Sequence, residues 1–207
     1  MGRLKHRNFR MINLISIHPS QLLGGKPILE PSDGTWIAGG AIRQWFVGSE
    51  PSSDIDVFGK DQASLDNFVA ENLNGAKVLT SRDNLTSFNY QGTLVQVIKP
   101  RFYSSVEDLL DSFDFNVCQF CWDGKDIWST TSSIISVLRG HLAVHKITKG
   151  LEADSLRRAF KYQQKGYKPC LGTILALAKS FTDLTGEEID KQIAISPGGG
   201  VRTIGID

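Results

Sequence analysis

Two spacings of apolar residues, every second position and every third or fourth, succeed one another along this 207-residue chain and outline its elements. Thr35 to Ala38 reads as a short buried strand, and after Gly39-Gly40 the apolar positions of Ala41 to Val47 fall at helical spacing. Ile55 and Val57 alternate with Asp54 and Asp56, giving a strand with one core face and one carboxylate face. Asp61 to Leu73 carries Leu65, Phe68, Val69 and Leu73 as an amphipathic helix would. Ala76 to Leu79 is a short strand. Leu85 to Tyr90 and Thr93 to Ile98, separated by Gln91-Gly92, predict a hairpin. Ser104 or Ser105 stands where it would cap a helix through Val106 to Leu110. Phe113 to Trp122 and Ile127-Trp128, joined by Asp123-Gly124-Lys125-Asp126, read as a second hairpin. From Leu151 onward the spacing is mainly helical, up to Gly198-Gly199-Gly200, and no internal repeat is visible. The expectation is an α/β (α+β) chain in three parts. Residues 1–30 form an N-terminal arm, 31–148 a head with a small mixed sheet flanked by helices, and 149–207 a helical C-terminal region with a glycine-rich tail.

Composition narrows the class. A formal charge of +1 excludes a strongly basic protein, so any RNA contact needs a local patch. No apolar run reaches the ~20 residues that span a bilayer, and no membrane partner is expected. Three cysteines do not make a secreted disulfide scaffold, and the chain is expected in the cytoplasm. Residues 1–29 lack acids and carry Arg3, Lys5, Arg7 and Arg10, read as an arm rather than a transit peptide. Cys118 and Cys121, three apart in an expected strand, would face opposite ways and not chelate together. His141 and His145 share a face only if Leu142 to Thr148 is helical, and a strand fits equally well.

The chemistry concentrates between Trp36 and Phe58. Asp54 and Asp56 on one strand face repel and raise each other's pKa unless a cation sits between them. A carboxylate pair flanked by core residues therefore reads as a divalent-metal site, its hard oxygens suiting Mg²⁺ or Mn²⁺. Gly39-Gly40 allows a sharp turn and close backbone approach. A helix starting there would aim its free N–H groups at an anion, and Arg43 would add a planar fork for phosphate oxygens. Without the Gly-Lys-Ser/Thr ending this is not a P-loop. Each element alone has an ordinary role too: Asp-x-Asp as a solvated strand edge, Gly-Gly as a turn, Arg43 as a surface cation.

In order and at this spacing, Gly39-Gly40, Arg43 and Asp54-Ile55-Asp56 resemble the signature of the polymerase-beta-type nucleotidyltransferases. The resemblance is greatest to the head of tRNA CCA-adding enzymes and bacterial poly(A) polymerases. It implies a nucleotidyltransferase head in which Asp54 and Asp56 hold Mg²⁺ (or Mn²⁺) and act catalytically, while Gly39, Gly40 and Arg43 bind the phosphates. Phe113-Asp114-Phe115-Asn116 resembles a later family motif, making Asp114 a ribose or metal-adjacent contact; a capping aspartate is the alternative. Glu152 to Tyr167 resembles the stretch whose aspartate and arginine read the incoming base, implying Asp154 and Arg157. The chain departs from the pattern at Gln44, at Phe113 and at Gln96, which stands where a third carboxylate would lie. Arg157, Lys161, Lys165 and Lys168 recur as a cationic ridge on one helix, with Arg158 beside it, and Phe160 is expected to pack inward. The ridge suits RNA phosphates or a triphosphate.

The expected activity is transfer of NMP from an NTP to an acceptor hydroxyl with release of pyrophosphate. The acceptor implied is a tRNA-like RNA 3′ end. The alternatives are a protein or small-molecule acceptor, or a catalytically silent nucleotide- or RNA-binding module, and a partner subunit or homo-oligomer would supply missing RNA-binding parts.

Overall fold

A computed structural model describes residues 13–22, 28–49 and 54–195. The basic residues of the expected arm, Ser53 and the glycine-rich tail lie outside the described residues. The strands are β1 (Leu14–Ile17), β2 (Thr35–Ala38), β3 (Ile55–Gly59), β4 (Lys77–Arg82), β5 (Leu85–Tyr90), β6 (Thr93–Phe102), β7 (Phe120–Trp122), β8 (Ile127–Thr130), β9 (His141–Leu142) and β10 (Lys168–Pro169). The helices are α1 (Gly40–Phe46), α2 (Gln62–Asn72), α3 (Val106–Asp111), α4 (Thr131–Leu138), α5 (Glu152–Gln164), α6 (Leu171–Ser180) and α7 (Gly186–Ile195).

The first eight strands make one mixed sheet in the order β1-β8-β7-β2-β3-β6-β5-β4. β3 and β6 run parallel at its centre, and the other pairings are antiparallel. Both faces are covered. Ile37, Ile55, Val57, Val95 and Val97 pack under α1 and α2 through Ile42, Trp45, Leu65 and Phe68. Ala38, Phe58 and Cys121 pack on the other side with Tyr103, Leu109 and Leu110 of the α3 region. Alternation along β3 therefore sends Ile55 and Val57 into one core, and Asp56 with Phe58 to the opposite face.

Local chemistry agrees with most of the expected elements. Asp61 caps α2 by accepting from Ser64 N at 2.8 Å, and Ser105 caps α3 by accepting from Asp108 N at 3.2 Å. The β5–β6 turn places both Gln91 and Gly92 at positive φ, the backbone of a two-residue hairpin.

Four expectations need correction. Leu14–Ile17, assigned to the arm, pairs with β8 along the sheet edge. The second hairpin is shorter than expected, because Asn116–Cys118 is a 3₁₀ turn and only Phe120–Trp122 is strand, so Cys118 is not a strand residue. Among the described residues no cluster of His, Cys, Asp and Glu includes either cysteine as a metal ligand. Phe160 is 60% exposed, because the buried face of α5 is built from Glu152, Ser155, Ala159 and Tyr162, well round the helix from it. Helix α5 also stops at Gln164, capped by Lys165, with Gly166 at φ 92°. Lys168 thus leaves the ridge, and its N–H bonds Gly140 O at 2.7 Å in the β9–β10 pair.

Candidate functional site

Gly39 ends β2 at φ 87° and ψ −132°, a backbone that disfavours any side chain, with its N–H donated to Phe120 O at 2.8 Å. A Cβ built there would lie 3.7 Å from Asp56 Oδ2. The Gly39-Gly40 turn therefore runs directly against the carboxylate, with Gly40 opening α1. Pairing puts Ala38 beside Asp56 on one side and Gln96 on the other. The amide thus occupies the register position next to the carboxylate, where the resemblance called for a third acid.

Asp56 is half-buried, and its carboxyl is pushed up to about 7. Burial is the main cause and the charge of Asp54 adds to it, while Arg158, Lys161 and Lys165 pull the other way. The charges of three cations of α5 therefore reach Asp56. They recur at i, i+3 and i+7, one flank of the helix. Arg157 is not among them. It pairs with Asp154 at 3.1 Å on the exposed surface, and Asp154 also lines a groove of about 300 Å³ between α5 and α7. The effective cationic face is Arg158, Lys161 and Lys165.

Arg158 is anchored from behind. It pairs with Asp114 at 3.3 Å and donates to Cys118 Sγ at 3.6 Å, and Ser155 Oγ donates to Asp114 Oδ2 at 3.2 Å. Burial raises the carboxyl of Asp114, with the Arg158 charge opposing. In place of an open ribose contact, Asp114 sits under the α5 guanidinium. Burial also raises the thiol of Cys118 and the hydroxyl of Tyr162, which lie 2.9 Å apart.

Arg43 is only 3% exposed. Its Nη1 donates to Val117 O at 2.9 Å, and its guanidinium lies 5.5 Å from the Tyr162 ring centroid and 5.3 Å from that of Tyr167. The expected open fork is instead buried, with two tyrosine rings against it. In the sequence Cys118 stands out only as a candidate chelator, and Ser155, Tyr162 and Tyr167 only as part of a family-like stretch; their roles around Arg43, Arg158 and Asp114 come from tertiary contacts that spacing does not show.

Asp54 and Asp56 fit a hard divalent cation in donor chemistry, and the bare Gly39 backbone leaves room beside Asp56. Among the described residues no group of three His, Cys, Asp or Glu side chains assembles, so the pair has no third protein carboxylate.

Fold and motif together define a nucleotidyltransferase-like head. The fold is similar to that of the Thermotoga maritima CCA-adding enzyme complexed with tRNA, with TM-score 0.53, 17% identity, 77% of this chain and 42% of that one. It is similar too to a tRNA nucleotidyltransferase complexed with primer tRNA and an ATP analogue, with TM-score 0.54, 14% identity, 77% and 51%. Identities this low establish the fold alone. The chain belongs to the Gabija anti-defense 2 (Gad2) family, whose model matches residues 10–139. Gabija anti-defense 2 of Bacillus phage SPbetaL7 is 27% identical over 162 residues, covering 76% of this chain and 40% of that protein. The chain thus spans about two-fifths of the length of this curated relative.

Proposed function

We propose that this chain is a metal-dependent nucleotidyltransferase that moves NMP from an NTP to an acceptor hydroxyl and releases pyrophosphate. The observation that carries the reading is the meeting of three features at one place. The Gly39-Gly40 turn lies against Asp56, and the charges of the Arg158, Lys161 and Lys165 flank reach the same carboxylate. Asp54 and Asp56 would hold Mg²⁺ or Mn²⁺, which when bound supplies neutralisation of phosphate charge and activation of the attacking hydroxyl. The backbone at Gly39 and Gly40 gives the phosphates close approach, and the α5 cations balance the charge of the polyphosphate. Positioning and charge balance of this kind supply most of phosphoryl-transfer catalysis.

An RNA 3′ hydroxyl of tRNA type is the first acceptor to test, and the cytoplasm, where NTPs are abundant, is the expected setting. A second reading is favoured by the anti-defense name of the family and of the phage relative. On it the nucleotide is placed on a protein component of the defence system, and a fold similar to that of tRNA nucleotidyltransferases has been turned to a new acceptor. Because the chain spans two-fifths of that relative, a partner or further polypeptide belongs to either reading.

The test is transfer of label from each α-labelled NTP, with Mg²⁺ or Mn²⁺, into total RNA and into protein from cells carrying the defence system. Label that depends on wild type and disappears with Asp54→Asn/Asp56→Asn establishes transfer, and the labelled pool identifies the acceptor. Wild type that binds NTP without releasing pyrophosphate in either pool would leave a silent nucleotide-binding module.

A further inference from the structure

Arg43 belongs to α1, yet its side chain reaches outside that helix. Its Nη1 holds the Val117 carbonyl, and its guanidinium lies 5.5 Å from the ring centroid of Tyr162 of α5 and 5.3 Å from that of Tyr167 just beyond it. The neighbouring residue of the same 3₁₀ turn, Cys118, donates to Tyr162 Oη at 2.9 Å and accepts from Arg158. Asp114, just before that turn, holds Arg158 at 3.3 Å. Arg43 and Arg158 therefore grip adjacent points of residues 114–118, one from the glycine turn and one from α5. Tyr162 and Tyr167 close the loop with ring centroids 6.4 Å apart, and Phe115 packs 5.8 Å from Tyr162. The Arg43 charge is also felt at Lys165, whose pKa is lowered first by burial and next by Arg43.

A guanidinium only 3% exposed, with one N–H on the Val117 carbonyl and two tyrosine rings against it, is turned into the protein rather than out toward a ligand in solvent. We propose that Arg43 is a positioning residue that sets the Arg158, Lys161 and Lys165 flank at its distance from Asp54 and Asp56, and not a ligand of the phosphates. This deepens the nucleotidyl-transfer reading and rests on it for the identity of the anion. Through this contact the glycine turn and the cationic flank, which come from segments over a hundred residues apart, move as one body. The ligand class this favours is a polyphosphate, whose affinity depends on the spacing of several cations, over a monophosphate, which needs fewer of them.

The experiment compares wild type with Arg43→Lys, Arg43→Gln, Lys161→Ala and the Arg43→Gln/Lys161→Ala double variant. Hydrogen–deuterium exchange is read over residues 157–168 and, as a control, over 77–99. Calorimetry reads Mg-ATP and Mg-AMP affinity, and thermal unfolding is recorded for each. The expected result is faster exchange in 157–168 alone for both Arg43 variants, about tenfold weaker ATP binding with little change for AMP, and a double variant hardly weaker than Arg43→Gln. A lysine that keeps full ATP affinity, or losses at Arg43 and Lys161 that multiply while exchange in 157–168 is unchanged, would make Arg43 a direct ligand and overturn the proposal. A lower unfolding temperature with an unchanged ATP-to-AMP ratio would reduce Arg43 to a core contact, and also overturn it. If wild type binds no nucleotide, the transfer reading falls, and the exchange result alone still decides whether Arg43 holds the flank.

Discussion

Asp56→Asn tests the electrostatics of the site without any assumption about the acceptor. The Asp56 carboxyl titrates near 7 in the folded chain against 3.8 in an exposed one, chiefly because it is buried beside Asp54. Between those values the native state keeps a proton that the unfolded state has released. Stability therefore falls as pH rises through this window and levels off above about 7, the reverse of a salt-bridged carboxylate. A rise from 3.8 to about 7 corresponds to roughly 4 kcal/mol at about 1.4 kcal/mol per pH unit. The residue is only half-buried and water reaches part of it, so about 2–3 kcal/mol is expected in practice. The asparagine keeps the shape and carries no charge, so it should raise the unfolding temperature at pH 8 by about 5–10 °C and leave it little changed at pH 4. Asp114, raised by burial, gives a slope of the same sign in both proteins, so the readout is the difference between the two curves. Mg²⁺ at pH 8 should stabilise wild type and not the variant. Parallel pH curves for the two proteins, or a variant less stable at pH 8, would refute a strained carboxylate at this position.

Three further outcomes follow from the same geometry. Arg158→Met takes the guanidinium from the largely buried Asp114, which keeps the Ser155 hydroxyl, and should cost about 1–3 kcal/mol in denaturant unfolding, since Arg158 itself is partly exposed. Arg157→Ala, which breaks an exposed pair, should cost under ~1 kcal/mol. Gly39→Ala forces a side chain onto φ 87° and should destabilise by about 1–2 kcal/mol; as its Cβ meets Asp56 Oδ2 only at ordinary contact distance, titration should show weakened Mg²⁺ binding of modest size rather than its loss. Phe160→Ser, on an exposed position, should change stability by less than ~0.5 kcal/mol by thermal unfolding, where an inward-packed phenylalanine would lose about 3 kcal/mol or more.

The centre of the sheet was legible in the sequence because its signals are local. Thr35–Ala38 ends at a glycine pair, Asp61 and Ser105 each cap the helix that follows within three residues, and Gln91-Gly92 has the backbone freedom of a hairpin turn. The edges were less so. Leu14–Ile17 becomes a strand only because β8, more than a hundred residues later, offers it a free edge. Asn116–Cys118 has β-like composition but turns as 3₁₀, held by the Arg43 bond to Val117 O and by Asn116 N–H donated to Ala143 O. Helix α4 hides behind a run of serines and threonines that favours strand by composition. It forms because Thr130 Oγ1 accepts from Ser133 N, and Ser133 Oγ in turn donates to the fully buried Gln119.

The candidate site divides along the same line. Its carboxylates and glycines sit within eighteen residues of one another, close enough for spacing alone to reveal a strand face beside a turn. Its cations come from α5, and there periodicity was ambiguous, because Arg157 and Arg158 are adjacent and each begins a plausible ridge with Lys161 and Lys165. What decides between them is which arginine has a buried counter-charge waiting. Arg158 has Asp114, forty-four residues earlier and beneath the helix, while Arg157 pairs at the surface with its own neighbour Asp154. The rotation of α5 about its axis is therefore tied to the pair of Arg158 with Asp114 and to Tyr162 beside Arg43, and with it the charges of Lys161 and Lys165 act on Asp56. A charge stripe read from sequence gives the presence of cations. The buried partner of one member of the stripe gives their direction, and direction is what makes this flank part of the site.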